Sequence, residues 1–118
     1  MDGTITILSS VKKLLNIDEA ITEFDSDIRS YINGALFSLY QIGIGPSIPF
    51  FINDETIWDE YQTTVPKDII LDYIHLKTAI IFDPPTSSSV VEAYTDRISE
   101  LEFRMNILVD NGGGNVTG

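Results

Sequence analysis

Cysteine is absent from this chain of 118 residues. That excludes a disulfide framework and any thiolate metal site. Basic side chains are scarce too: seven Lys and Arg stand against 18 Asp and Glu, a formal charge of −11. A surface of that sign repels phosphate, which disfavours binding driven by a nucleic-acid backbone. The acids are spread along the chain instead of massed in one tail, which argues against a disordered acidic arm. No run approaches the ~20 apolar residues of a membrane span, and the N-terminus lacks a basic-then-apolar leader. The expectation is a soluble chain without a membrane partner, staying where it is made or carried elsewhere only within an assembly.

Apolar residues make up 43% of the sequence. One domain of this length buries roughly two-thirds of its unfolded surface, enough for a core without staples. Its organising stretch is 65–109, two helical segments hinged at Phe82, Asp83, Pro84, Pro85 and Thr86. The upstream arm, 66–82, is apolar on nearly every side, the pattern of a helix surrounded by protein. The downstream arm carries Val91, Tyr94, Ile98, Leu101, Met105 and Leu108 at alternating steps of three and four. That is the rhythm of one helix lying along another.

Earlier in the chain, residues 1–8 alternate briefly and read either as an extended arm or as the lead-in to a first helix. Ser9 or Ser10 caps a short helix over about 10–16, with Val11, Leu14 and Leu15 on one face and Lys12 and Lys13 in water. Thr22 and Asp25 have the spacing of a capping box. Glu23, Asp25 and Asp27 crowd the first turn, where the helix dipole favours negative charge. The helix they open, about 23–42, buries Phe24, Ile28, Ile32, Ala35, Leu39 and Ile42 and measures ~30 Å. It stops at Gly43, and Gly45 with Pro46 prevents its resumption. Gly34 inside it suggests a close helix crossing. Residues 48–52 allow a short edge strand, limited by Pro49. Asp54 or Thr56 caps a second short helix over about 55–61, and Pro66 opens the third long one. Asp83, Pro84 and Pro85 end that helix. Ser89 and Glu92 form a second capping box, opening a helix over about 89–109. Residues 110–118, with three consecutive glycines, form a flexible C-terminal tail. The fold class is all-α: a single helical domain, 1–109, with three main helices (about 23–42, 66–82 and 89–109) and two short ones.

Residues with chemistry are few. His75, the only histidine, falls in the most buried helix and reads as a core residue with one nitrogen satisfied; no ligand at helical spacing completes a zinc site. Asp68 and Asp72 share a helix face, but Lys67 and Lys77 are close enough to pair with them, and no second carboxylate pair crosses a cleft. Asp25 and Asp27 lack the glycine and closing glutamate of a calcium loop. Gly43 and Gly45 are too close together for a phosphate cradle. Ser87, Ser88 and Ser89 have no base nearby, and Asn115 with Thr117 matches a glycosylation acceptor by chance. No catalytic residue, cofactor or metal is expected. Phe50, Phe51, Trp58 and Tyr61 cluster between the long helices, either as a satellite core or as an anchor surface for another chain.

The order of these pieces resembles the phage head–tail connector (adaptor) family. The resemblance is carried by Val11 to Asp18, by Glu23 to Ile28 with the helix running to Pro46, and by Tyr73 to Ser88 with Glu100 to Asn106. The elbow from Phe82 to Ser88 is its most specific part. The resemblance implies an all-α structural protein in the virion neck, present in the host cytoplasm before assembly. It also implies a homo-oligomeric ring, commonly of twelve, docked on the portal protein and followed by a tail or stopper protein. DNA would cross the bore without specific binding. In such rings a terminal segment commonly reaches the portal; the counterpart here is 110–118, with Asp110, Asn111, Asn115 and Val116 as contacts. Head-to-tail closure needs two complementary patches per subunit. The region 50–61 and the outer face of the last helix, Phe103 and Ile107, are the candidates. Two other readings compete: an acidic helical module that mimics DNA or inhibits a host nucleic-acid-binding protein, and a small acid–base enzyme using Asp68 and Asp72.

Overall fold

In the computed structural model, which describes residues 2–112, four helices carry the fold: α1 Ile7–Leu14, α2 Asp25–Gln41, α3 Lys67–Phe82 and α4 Ser88–Gly112. A single 3-10 turn, Trp58–Glu60, interrupts the long connection between α2 and α3. Among the described residues the only extended pairing is an isolated bridge between Thr6 and Ile57. The all-α expectation therefore holds.

α3 is the middle of the structure because its apolar residues point in too many directions for one neighbour. Ile70, Tyr73, Ile74, Leu76, Thr78 and Ala79 are all buried, and α1, α2 and α4 each pack against it. α2 supplies Ile28, Ile32, Ala35, Leu36 and Leu39. At roughly 1.5–3 kcal/mol per fully buried aliphatic side chain, this seam is the largest stabilising contribution in the domain. α4 gives less than its heptad spacing promises. Leu101 and Met105 are buried, Val91, Tyr94 and Ile98 only partly, and Leu108 is exposed. The 25 residues of α4 span ~37 Å and overrun the ~24 Å of the 16-residue α3, which leaves Leu108 beyond its partner; the partial burial of Val91, Tyr94 and Ile98 beside the elbow has no such cause.

Several local expectations are corrected. α1 begins at Ile7, earlier than Ser9 or Ser10 would set it, because Thr6 caps it: its Oγ1 accepts from the Ser9 N–H at 3.1 Å. The Thr22–Asp25 capping box does not form. Phe24 occupies the N-cap of α2 without a side-chain hydrogen bond and stacks edge-on against Phe82, ring centroids 5.5 Å apart. The Ser89–Glu92 box fails likewise: α4 starts at Ser88, with the Ser87 carbonyl accepting from the Val90 and Val91 N–H groups. The second short helix shrinks to the 3-10 turn. The chain ahead of it is spent on tight side-chain turns, with Glu55 N–H donating to Asn53 Oδ1 at 2.8 Å and Asn53 N–H to Thr56 Oγ1 at 2.9 Å. The edge strand at 48–52 is not made; Asn33 on α2 takes its place, accepting from the Ile52 N–H at 2.7 Å. A Cβ on Gly34 would meet nothing within 4 Å, so no close helix crossing explains that glycine. α4 runs on to Gly112, so the helix includes the first residues assigned to a tail.

The largest correction concerns Lys12, expected in water and found 3% exposed. Its Nζ donates to the carbonyls of Glu19 (3.2 Å) and Ile21 (2.7 Å). It also lies 2.9 Å from Asp25 Oδ1. That contact is an ion pair but not an aligned hydrogen bond, since Oδ1 lacks a partner of good geometry. Lys12 thus pins the α1–α2 connection to α1 while its stem covers apolar surface. Lys12→Ala should lower the unfolding free energy by about 3 kcal/mol in denaturant titration, because it strands the shielded Oδ1 of the half-buried Asp25 and two carbonyls. Lys12→Met, which keeps the stem, should recover the packing share only.

After α2 the chain turns on two glycines in left-handed conformation, Gly43 (φ 85°) and Gly45 (φ 90°). Space around Gly43 is open, but a Cβ on Gly45 would come within 2.3 Å of the Tyr61 hydroxyl. Gly43→Ala should therefore cost only the backbone strain, about 1–2 kcal/mol. Gly45→Ala should cost that plus displacement of a buried ring, about 3 kcal/mol in all. Equal losses for the two variants in thermal or chemical melts would contradict the contact.

Candidate interaction surfaces

The aromatic cluster of the second connection divides into two layers. Trp58 and Tyr61 are fully buried. Trp58 Nε1 donates to Ser10 Oγ at 2.9 Å, and its ring meets Tyr61 edge-on at 6.5 Å. Phe50, half-buried, packs edge-on against Tyr61 at 5.3 Å. These rings tie the connection to α1 and the end of α2, so Trp58 and Tyr61 are core and not an anchor surface. Phe51 points outward, 58% exposed, and stacks on Phe37 of α2 at 6.4 Å. Ile48 nearby is 69% exposed. Ile48 and Phe51, three residues apart in sequence, are the exposed apolar residues of this connection, its prong; the exposed Glu55 follows four residues after Phe51.

On α4, Phe103 (66% exposed) and Ile107 lie one turn apart on the solvent face, and the exposed Asp110 follows. Asn111 lies within α4, whereas Asn115 and Val116 fall outside the described residues. The anticipated tail contacts thus have only their first residues, Asp110 and Asn111, in the structure.

A third surface was not anticipated from sequence. Leu14 at the end of α1, Ile69 and Leu71 of α3 and Leu101 of α4 floor an open cleft of ≈ 380 Å³. Asp68, Asp72, Arg97 and Arg104 rim it. Arg97 donates to Asp72 Oδ2 (3.2 Å) and to Glu100 Oε1 (2.7 Å), and Arg104 donates to Glu100 Oε2 (3.2 Å). The two cations raise no alarm as a sequence pattern, since they stand seven residues apart. Helical geometry puts i and i+7 on one face, and that was the available signal.

The rim settles the place of Asp68 and Asp72. Asp72 is held by Arg97, and the lysines expected to pair with these carboxylates do other things. Lys67 Nζ donates to the Trp58 carbonyl at 2.8 Å, and Lys77 Nζ lies 5.8 Å over the Tyr73 ring. His75 is half-buried rather than core; burial lowers its pKa, and Asp72 opposes that shift. No group of three or more potential ligands converges on a metal position among the described residues. No helix there is long and apolar enough to cross a membrane.

Two phenols respond to burial. Tyr61 is pushed up to about 12 by desolvation, and its hydroxyl has no hydrogen-bond partner among the described residues. Tyr73 is raised as well, by desolvation first and then by Glu102, whose carboxylate accepts its hydroxyl at 2.7 Å. In the unfolded chain a tyrosine ionises near ~10. Between that pH and the higher folded value the native state binds more protons, so stability is intact below pH ~10 and falls as pH rises through ~12. Tyr61 should account for about 3 kcal/mol of that loss. Tyr61→Phe should flatten its share of the alkaline slope in melts from pH 8 to 12. At pH 8 it should be close to neutral, since the lost hydroxyl was unpaired.

Residues 7–112 match the family model described as phage connector protein, which covers nearly all of the described chain. No curated protein and no protein of solved structure matches significantly.

Proposed function

This chain belongs to the phage connector protein family, and from that membership we propose that it is a structural protein of the virion neck. Copies of it form a ring that joins the portal to a tail or stopper protein, with DNA passing through the bore. The family match carries this reading; the surfaces support it physically. A ring closes through heterologous contacts, for which each subunit needs two unlike patches. The domain has at least three separate ones: the Ile48–Phe51 prong, the outer face of α4 and the cleft rimmed by Arg97 and Arg104. Large apolar side chains exposed in groups are the usual mark of a surface used by another protein. A net charge of −11 serves a wall past which DNA moves, since it gives phosphate nothing to adhere to.

On this reading no substrate is turned over, and the carboxylates at the cleft rim hold guanidinium groups in place. Electron microscopy of the particle that carries this chain is the decisive measurement. Density for the four-helix domain should form a ring between portal and tail. Density anywhere else, or a particle lacking the chain altogether, would overturn the proposal. The acidic-mimic alternative makes the opposite forecast: a monomer that displaces DNA from a basic partner.

A further inference from the structure

Resting on that reading, we propose that the cleft among α1, α3 and α4 receives the Ile48–Phe51 prong of a second copy of this chain. The two surfaces share no residue, so a contact between them is head-to-tail and leaves one subunit with a free prong and the other with a free cleft. That is the condition for closing a ring from identical parts.

The distribution of charge selects this pairing. Of the seven cations, Lys12 is buried with Asp25, Arg29 pairs with Asp54, Lys67 binds the Trp58 carbonyl and Lys77 covers the Tyr73 ring. The remaining three, Lys13, Arg97 and Arg104, line this cleft and the larger one that adjoins it across Leu14. Around the cleft two cations, Arg97 and Arg104, stand among three carboxylates, Asp68, Asp72 and Glu100, so charge is far closer to balance there than over a chain of −11. Two copies so acidic repel over most of their surfaces, and an apolar face whose cations nearly match its acids is where that repulsion is reduced. Arg104 is mostly exposed and uses one nitrogen on Glu100, which leaves donors directed to solvent. On the other surface, Glu55 is exposed and makes no ion pair among the described residues. An apolar prong flanked by an unpaired carboxylate thus meets an apolar floor flanked by unspent guanidinium donors.

The absence of native cysteine makes the contact directly testable. Particles assembled with a Phe51→Cys, Leu14→Cys double variant, then oxidised, should give a ladder of cross-linked multimers on denaturing gels. Each single variant should stay monomeric. A dimer from Phe51→Cys alone would mean a symmetric contact, and incorporation into particles without a ladder would mean another interface; either overturns this inference while leaving the neck role standing. Failure of the unmodified chain to enter particles would instead overturn the neck role. A charge exchange gives the second readout. Arg104→Glu and Glu55→Arg should each weaken assembly by about tenfold, and the two together should restore it to within about threefold. A double variant as defective as the worse single one would rule out the pairing.

Discussion

α3 cannot be half-buried. Its apolar residues recur at nearly every angle around the axis, and a helix of that kind is stable only when other elements surround it. α2 and α4 flank it and α1 packs against it as well, so the rest of the chain is arranged to serve this one requirement. The connections follow the same demand. Lys12 gives up hydration to hold the α1–α2 loop, and the Trp58–Tyr61 pair fills the space between α1 and the end of α2. The two left-handed glycines let the chain double back closely enough for that filling, with Gly45 directly under the Tyr61 hydroxyl.

The long-range plan was legible in the sequence because it depends on periodicity. The stripe of α2, the all-round apolarity of α3, the proline elbow after Phe82 and the spacing along α4 each report a backbone geometry that local residues enforce. The capping boxes at Thr22 and Ser89 misled because a cap is a local hydrogen bond that tertiary packing can outbid. Phe24, resting edge-on against Phe82, holds the N-cap position that Thr22 was expected to serve. Lys12 misled for a related reason. Its position on the helical wheel places it beside water, but the carbonyls of Glu19 and Ile21 arrive from a loop whose path no periodicity encodes. The heptad spacing of α4 marks a seam, yet spacing carries no information about how deeply each position is covered: Leu101 and Met105 are buried while Val91, Tyr94 and Ile98 are only partly so.

The surfaces were less legible than the core. Phe50, Phe51, Trp58 and Tyr61 are neighbours in sequence and look alike in composition. Only the turn at 53–60 decides that Trp58 and Tyr61 face inward while Phe51 faces out. The cleft among α1, α3 and α4 joins residues as far apart as Leu14 and Arg104, and it exists only once three helices are in place. Asp68 and Asp72 show how such distance changes meaning. Four residues apart on one helix they resemble half of a catalytic pair, but they stand at the rim of a cleft where Arg97 holds Asp72.

Acidity creates a conflict for a protein of the proposed kind. A wall that DNA must pass without sticking benefits from negative charge, while copies of a negatively charged subunit resist being brought together. Spreading the few cations evenly would weaken the first property without removing the second. Segregating them eases both: Lys12, Arg29, Lys67 and Lys77 are spent within the subunit, Arg97 is held by Asp72 and Glu100, and Lys13 and Arg104 keep donors beside the clefts next to α1. The same logic explains why Arg97 and Arg104 are arginines held by Glu100. A guanidinium fixed in place by one carboxylate keeps further donors oriented for another, whereas a free lysine would have to be ordered at the moment of contact. Charge that looks like a composition bias along the chain is thus unevenly placed in three dimensions, with Lys13, Arg97 and Arg104 gathered along the clefts beside α1.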